Sequence, residues 1–181
     1  MIQPKRIYLA GPEVFFPAAE HQAIVAEKKR LLREYGLEGV DPLDTELTFS
    51  DDEEKPDFGH QIYRANRELM DRCDAIIANL TPFRGISADS GTVYEVGYMT
   101  GQGKPAFGFT LDSRRYRERA GSTNLDELGH TIEDFEMSDN LMIEGGIRDS
   151  GGQLFVAAQP GEHPFFSAEL FRSCVRAAAY A

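Results

Sequence analysis

The chain has 181 residues, 41% hydrophobic and 27% charged, a length and balance that build one folded domain and exclude a disordered chain. With 30 acids against 19 bases the net charge is -11, which repels a polyanion and excludes nucleic acid polymers as partners, while a single nucleoside carries no phosphate and is unaffected. No run approaches a membrane span and the N-terminus lacks the apolar core and cleavage site of a signal peptide, so the expected location is the cytoplasm, with no membrane partner.

Arg6 to Ala10 (RIYLA) is a short apolar run that stops at Gly11-Pro12, which predicts a first strand emptying into a tight loop. Ala18 to Tyr35 is rich in Ala, Glu, Lys and Leu, carries Ile24, Leu31 and Leu32 near helical spacing and ends before Gly36, so it predicts a helix leading to a strand at Glu38 to Val40. Thr48 to Asp57 (TFSDDEEKPD) has the composition of an exposed loop, and its carboxylates lack the glycine and terminal glutamate of a calcium loop. His60 to Arg72 predicts the next helix, and Ala75 to Leu80 (AIIANL) is the unbroken apolar run of a strand covered on both faces. Ser90 to Gly101 predicts a third helix and Ala106 to Thr110 a fourth strand.

This alternation predicts an α/β fold, a doubly wound parallel sheet of the Rossmann or flavodoxin-like three-layer kind, with ligands bound beyond the carboxyl ends of the strands. From about residue 111 the pattern loosens into an expected C-terminal helical extension of the same domain: a charged helical stretch (SRRYRERA), Ile132 to Ile143, a Gly-rich break and a final helix from about Ser167. Cys73 and Cys174 stand far apart without metal-ligand spacing, and His21, His60, His130 and His163 show no such spacing with Cys or acids. The cysteines therefore read as buried small hydrophobes, and neither a metal nor a cofactor is expected.

The most informative segment is Ala88 to Pro105 (ADSGTVYEVGYMTGQGKP). Asp89 or Ser90 can cap a helix there, and Gly91 leaves backbone N–H groups approachable by a ligand oxygen. Gly97 and Gly101, four apart, are expected to flatten one face and let the helix lie close against the sheet. Glu95 sits one turn inside; a lone helical glutamate is ordinarily a solvated surface residue. Phe15 and Phe16 follow the Gly11-Pro12-Glu13 loop and offer an aromatic face on which a base can stack, with at least one expected in the core. Arg84 lies just past a strand end, where the choices are a base-pocket lining or a solvated turn.

The Tyr8-Leu9-Ala10-Gly11-Pro12 start, the Asn79-Leu80-Thr81-Pro82 strand end and the DSGT-x-x-E-x-G helix, in this order, resemble the nucleoside 2-deoxyribosyltransferase family. The resemblance runs from Arg6 to Phe109 and resumes at Ser138 to Ile143. It implies that Glu95 is a nucleophile that attacks the anomeric carbon of a 2'-deoxynucleoside, giving a deoxyribosyl ester that a second nucleobase resolves with net retention. It further implies that Asp89 contacts the departing base and relays its proton, against the simpler reading of a helix cap, and that Tyr8 orients the nucleophile, against a packed core tyrosine. Gly11, Glu13, Phe15, Phe16, Ser90 and Gly91 fall in the implied substrate site. Asn66 stands where several relatives place an aspartate that holds the sugar hydroxyls, a departure that loosens the expected preference for deoxyribose. Asn140 resembles an asparagine lent to the sugar of a neighbouring subunit's site, which implies a homo-oligomer, dimer or hexamer; the competing reading is a helix cap. The rival readings are a hydrolase of 2'-deoxynucleoside 5'-monophosphates and a non-catalytic nucleotide-sensing module.

Overall fold

Five short runs form one sheet: β1 (Arg6–Ala10), β2 (Glu38–Val40), β3 (Ala75–Asn79), β4 (Ala106–Thr110) and β5 (Gln153–Val156). All pairs are parallel, in the order β2-β1-β3-β4-β5, the doubly wound arrangement expected from the alternation of elements. The helices are α1 (Ala18–Arg33), α2 (Lys55–Asp71), α3 (Ser90–Gly101), α4 (Tyr116–Ala120), α5 (Leu141–Asp149) and α6 (Ala168–Tyr180). The computed structural model describes residues 5–45, 47, 54–159 and 163–181. Among these, no helix is long and apolar enough to cross a membrane.

Because successive strand residues point to opposite faces, β1 feeds two cores at once. Ile7 and Leu9 join Leu31 and Leu32 of α1 and Phe171, Cys174 and Val175 of α6 in one layer. Tyr8 and Ala10 join Val96 and Met99 of α3 and Ile143 and Ile147 of α5 in the other. The central strands β3 and β4 are buried at every position, which is why they read as unbroken apolar runs. Both cysteines are buried and unpaired, as expected.

Several expectations shift. The first helix ends at Arg33, two residues short of the expected Tyr35, and β3 ends at Asn79. Of the expected loop at Thr48 to Asp57, residues 48–53 lie outside the described residues, but 55–57 are helical: α2 begins at Lys55, with Pro56 in the first turn, where its missing N–H costs nothing. The segment beyond 111 is not purely helical, since it supplies β5 on the sheet edge next to β4. The Gly-rich break is no break: Gly145 and Gly146 lie inside α5, while most of Ile132 to Ile143 is irregular and only its end enters that helix. Burial of Ile143 and Ile147 on the sheet holds α5 together despite its glycines.

Candidate active site

The strand order reverses direction between β1 and β3, and it is beyond the carboxyl ends at such a point that sheets of this kind bind ligands. Two elements meet there. Tyr8 comes from β1 and is fully buried. Glu95 comes from the second turn of α3, which packs across β1 and β3. The Tyr8 hydroxyl donates to Glu95 Oε1 at 2.7 Å.

The carboxyl of Glu95 is pushed up from 4.5 to about 7, chiefly by burial; the bond from Tyr8 pulls the other way, and the charges of Asp89 and Asp41 raise it further. No cation opposes them among the causes of that shift. The Tyr8 phenol is driven well above its ordinary range by burial first and by Glu95 second, so it stays a donor throughout the physiological range. A half-buried carboxylate ionised about half the time near pH 7, aimed by a permanent donor, is suited to nucleophilic attack.

Asp89 is the N-cap of α3: its Oδ2 accepts from the Thr92 backbone N–H at 3.0 Å and from the Thr92 hydroxyl at 3.3 Å. The cap reading of Asp89 therefore holds, and its charge also reaches Glu95. Ser90 and Gly91 form the exposed first turn beside it. The position of this turn is set from below by Asp139, a buried carboxylate that accepts from the Ser87 hydroxyl, from the Ala88 N–H at 2.9 Å and from the Asn140 N–H at 2.8 Å. Arg119 stands 3.6 Å from Asp139, with its own N–H groups donating to the carbonyls of Ile86, Arg114 and Ser138.

On the β1 side, Gly11 admits no side chain, since a Cβ there would fall 1.9 Å from Glu13 Oε2 and 2.9 Å from Asn79 Cβ. Glu13 does not face solvent. It is 3% exposed and its Oε1 accepts from Lys28 Nζ at 2.7 Å and from Asn79 Nδ2 at 2.9 Å, and Asn79 also donates to the Phe165 carbonyl. Phe15 is 51% exposed and stacked on Phe83, while Phe16 is half-buried against Phe165 and His163. Asn66 is half-buried on α2, and among the described residues it makes no hydrogen bond to Tyr8, Glu95 or Asp89. Asn140 caps α5, accepting from the Met142 N–H at 3.0 Å and donating to Glu133.

A cavity of about 870 Å³ runs between α3 and α5, with Ser90, Val93, Gly97, Asn140 and Met142 among its lining residues. Glu95 is not among them. Gly97 and Gly101 face this space, and a Cβ on either would meet nothing within 4 Å, so they do not press α3 onto the sheet as the sequence suggested. Val96 and Met99 make that contact instead.

Three polar residues of the site escape sequence reasoning: Lys28, Asp41 and Asp139. Asp41 directly follows β2 and lies 3.3 Å from His21 Nε2, both side chains buried; burial raises its carboxyl. Lys28 alone had a usable signal, because it sits four residues after Ile24 and three before Leu31 on the buried stripe of α1.

A family model described as nucleoside 2-deoxyribosyltransferase matches residues 7–142. The chain belongs to that family. Its members act on the N-glycosidic bonds of nucleosides. The chain is 35% identical, over 94% of its length and 86% of the relative's, to an uncharacterized protein, C191.05c, of Schizosaccharomyces pombe. Among solved structures it is similar to a 2-desoxiribosyltransferase from Leishmania mexicana, with 28% identity, a TM-score of 0.69 and coverage of 96% of this chain and 98% of the other. A CMP N-glycosidase of Clostridium botulinum shares the fold at 15% identity, with a TM-score of 0.50 over 93% and 96% of the two chains.

Proposed function

We propose that the protein is a nucleoside 2-deoxyribosyltransferase that exchanges the base of 2'-deoxynucleosides through a covalent ester on Glu95. The observation that carries this reading is the 2.7 Å bond from Tyr8 to Glu95 at the carboxyl end of β1, which supports a carboxylate held for attack rather than a solvated helix residue. Glu95 Oε attacks the anomeric carbon, the bond to the base breaks with its electron pair, and Asp89 delivers a proton to the departing base; the second base then displaces Glu95 with the proton returning the same way. The lack of a 2'-hydroxyl eases the oxocarbenium-like transition state. Gly11, Ser90 and Gly91 leave room for the sugar, and Phe15 offers a flat face to the base.

Two features favour a free nucleoside over a 5'-monophosphate. The helix start that would bind a phosphate already holds the Asp89 carboxylate, and the chain carries a net charge of -11. The protein works as a homo-oligomer in this reading, with Asn140 serving a neighbouring site; support comes from Met142 beside it, 75% exposed and bordering the large cavity.

The test is to incubate the protein with deoxyinosine and free adenine, follow products by chromatography, and quench part of the reaction for peptide mass analysis. Deoxyadenosine together with a deoxyribosyl adduct on Glu95 is the expected result. Free deoxyribose without exchange would make the protein a hydrolase, and absence of any adduct would remove Glu95 from its role. Light scattering on the same preparation should give a mass above that of one chain.

A further inference from the structure

Arg84 is held with unusual care for a residue on an exposed loop. Its backbone is left-handed, with φ of 56°, a conformation that disfavours any side chain and that only Glu136 shares among the described non-glycine residues. Its guanidinium carbon lies 4.6 Å from the ring centre of Phe15 and 4.7 Å from that of Phe83, and these two rings are stacked at 5.6 Å, 8° from parallel. The cation thus straddles an aromatic pair that joins the loop after β1 to the loop after β3, both at the carboxyl edge of the parallel sheet.

What Arg84 lacks is an acceptor. The nearby Arg119 donates to three carbonyls, Arg114 is paired with Asp112, and Arg115 with Glu136. Among the described residues Arg84 makes no hydrogen bond and no ion pair, only its two ring contacts. Two rings therefore hold a guanidinium whose five N–H donors are left for something outside the protein.

A planar donor fork reads two adjacent acceptors. Resting on the proposed transferase reading, we propose that Arg84 is a specificity residue that recognises the edge of the nucleobase and selects bases with two neighbouring acceptors, the O6 and N7 of a 6-oxopurine, over adenine, which offers N7 beside an amino donor. A phosphate would present the same kind of acceptor pair. The base edge is favoured because Asp89 and Asp41 gather their charges around Glu95 and would repel a phosphate, and because the stacked Phe15 and Phe83 rings suit a flat ligand.

The test supplies one deoxynucleoside donor and equal concentrations of hypoxanthine and adenine as acceptors. The wild type should favour hypoxanthine by about tenfold or more in kcat/KM. In Arg84→Gln and in Arg84→Gly, the second of which also relieves the left-handed backbone, transfer to hypoxanthine should fall about tenfold more than transfer to adenine. An unchanged ratio in both variants would overturn the proposal, as would a ratio that holds while use of a deoxynucleoside 5'-monophosphate donor collapses, which would make Arg84 a phosphate reader. If the wild type transfers to no base, the transferase reading has failed on its own. Calorimetric binding of hypoxanthine then still decides: affinity about tenfold weaker in Arg84→Gly supports the assignment, and equal affinity removes it.

Discussion

Glu13 and Glu95 are two glutamates drawn out of solvent on opposite sides of β1, and they are treated in opposite ways. Glu13 has a cation, Lys28, at 2.7 Å and an amide donor, Asn79, at 2.9 Å; Lys28 in turn lies over the rings of Phe109 and Phe171. Glu95 has a phenol and the charges of two other acids. A buried carboxylate with a cation closes a structural knot, tying the β1 loop to α1 and to the end of β3. A half-buried carboxylate without one is held at a cost in stability, and such a raised carboxyl is the kind that the proposed reaction would use. Charge partners, rather than burial alone, distinguish the two glutamates.

The sharpest way to break this comparison is Glu95→Gln. Base exchange should fall at least about a thousandfold, on the order of 4 kcal/mol, because the amide cannot form the ester. Lys28→Met comes next: it strands Glu13 and should lower the free energy of unfolding in urea by about 3–5 kcal/mol, while Lys28→Met combined with Glu13→Gln recovers most of the loss. A cost below about 1 kcal/mol would show that the pair is not the knot described.

Third in size is the stability of Glu95→Gln itself. Because the folded carboxyl titrates near 7 instead of 4.5, its protonated form favours folding fully below about pH 4.5, and that advantage is lost as pH rises through 7. The variant should therefore match the wild type near pH 4 and exceed it at pH 8 by on the order of 3 kcal/mol; a variant less stable at pH 8 contradicts the raised value. The smallest effect is that of Tyr8→Phe. The lost hydrogen bond had favoured the ionised form of Glu95, so the rise of kcat/KM with pH, centred near 7 in the wild type, should move upward, and exchange at pH 7 should drop about tenfold. A pH profile that stays in place would separate Tyr8 from the nucleophile.

The sequence makes β1, β2, α3 and β4 legible at their full bounds, because each is a clear run ended by Gly, Pro or a polar cap. It conceals β5, since Gln153–Val156 is only four residues on the sheet edge, exposed at both ends, next to Gly151-Gly152. It misplaces Gly145 and Gly146, whose helix is imposed by the burial of Ile143 and Ile147 and not by local propensity. In the site, Tyr8, Asp89 and Glu95 stand out as a pattern along the chain. Asp41 and Asp139 do not, because their importance arises only when β2 and the 138–140 segment arrive beside residues distant in sequence. Glu13 illustrates the same limit: its place in the loop is visible, but the lysine that neutralises it lies 15 residues away on a helix.

The alternation of Ile7 and Leu9 with Tyr8 and Ala10 turns the sheet into a partition. Tyr8 leaves from one side of it, and the α1 and α6 layer behind contributes mainly packing, beside the Lys28 knot and the His21–Asp41 contact. An engineer wishing to harden the molecule can therefore rework the rear wall, with its Leu31, Leu32, Phe171 and Val175, and the Tyr8–Glu95 pair on the front will feel it only through the strand between them.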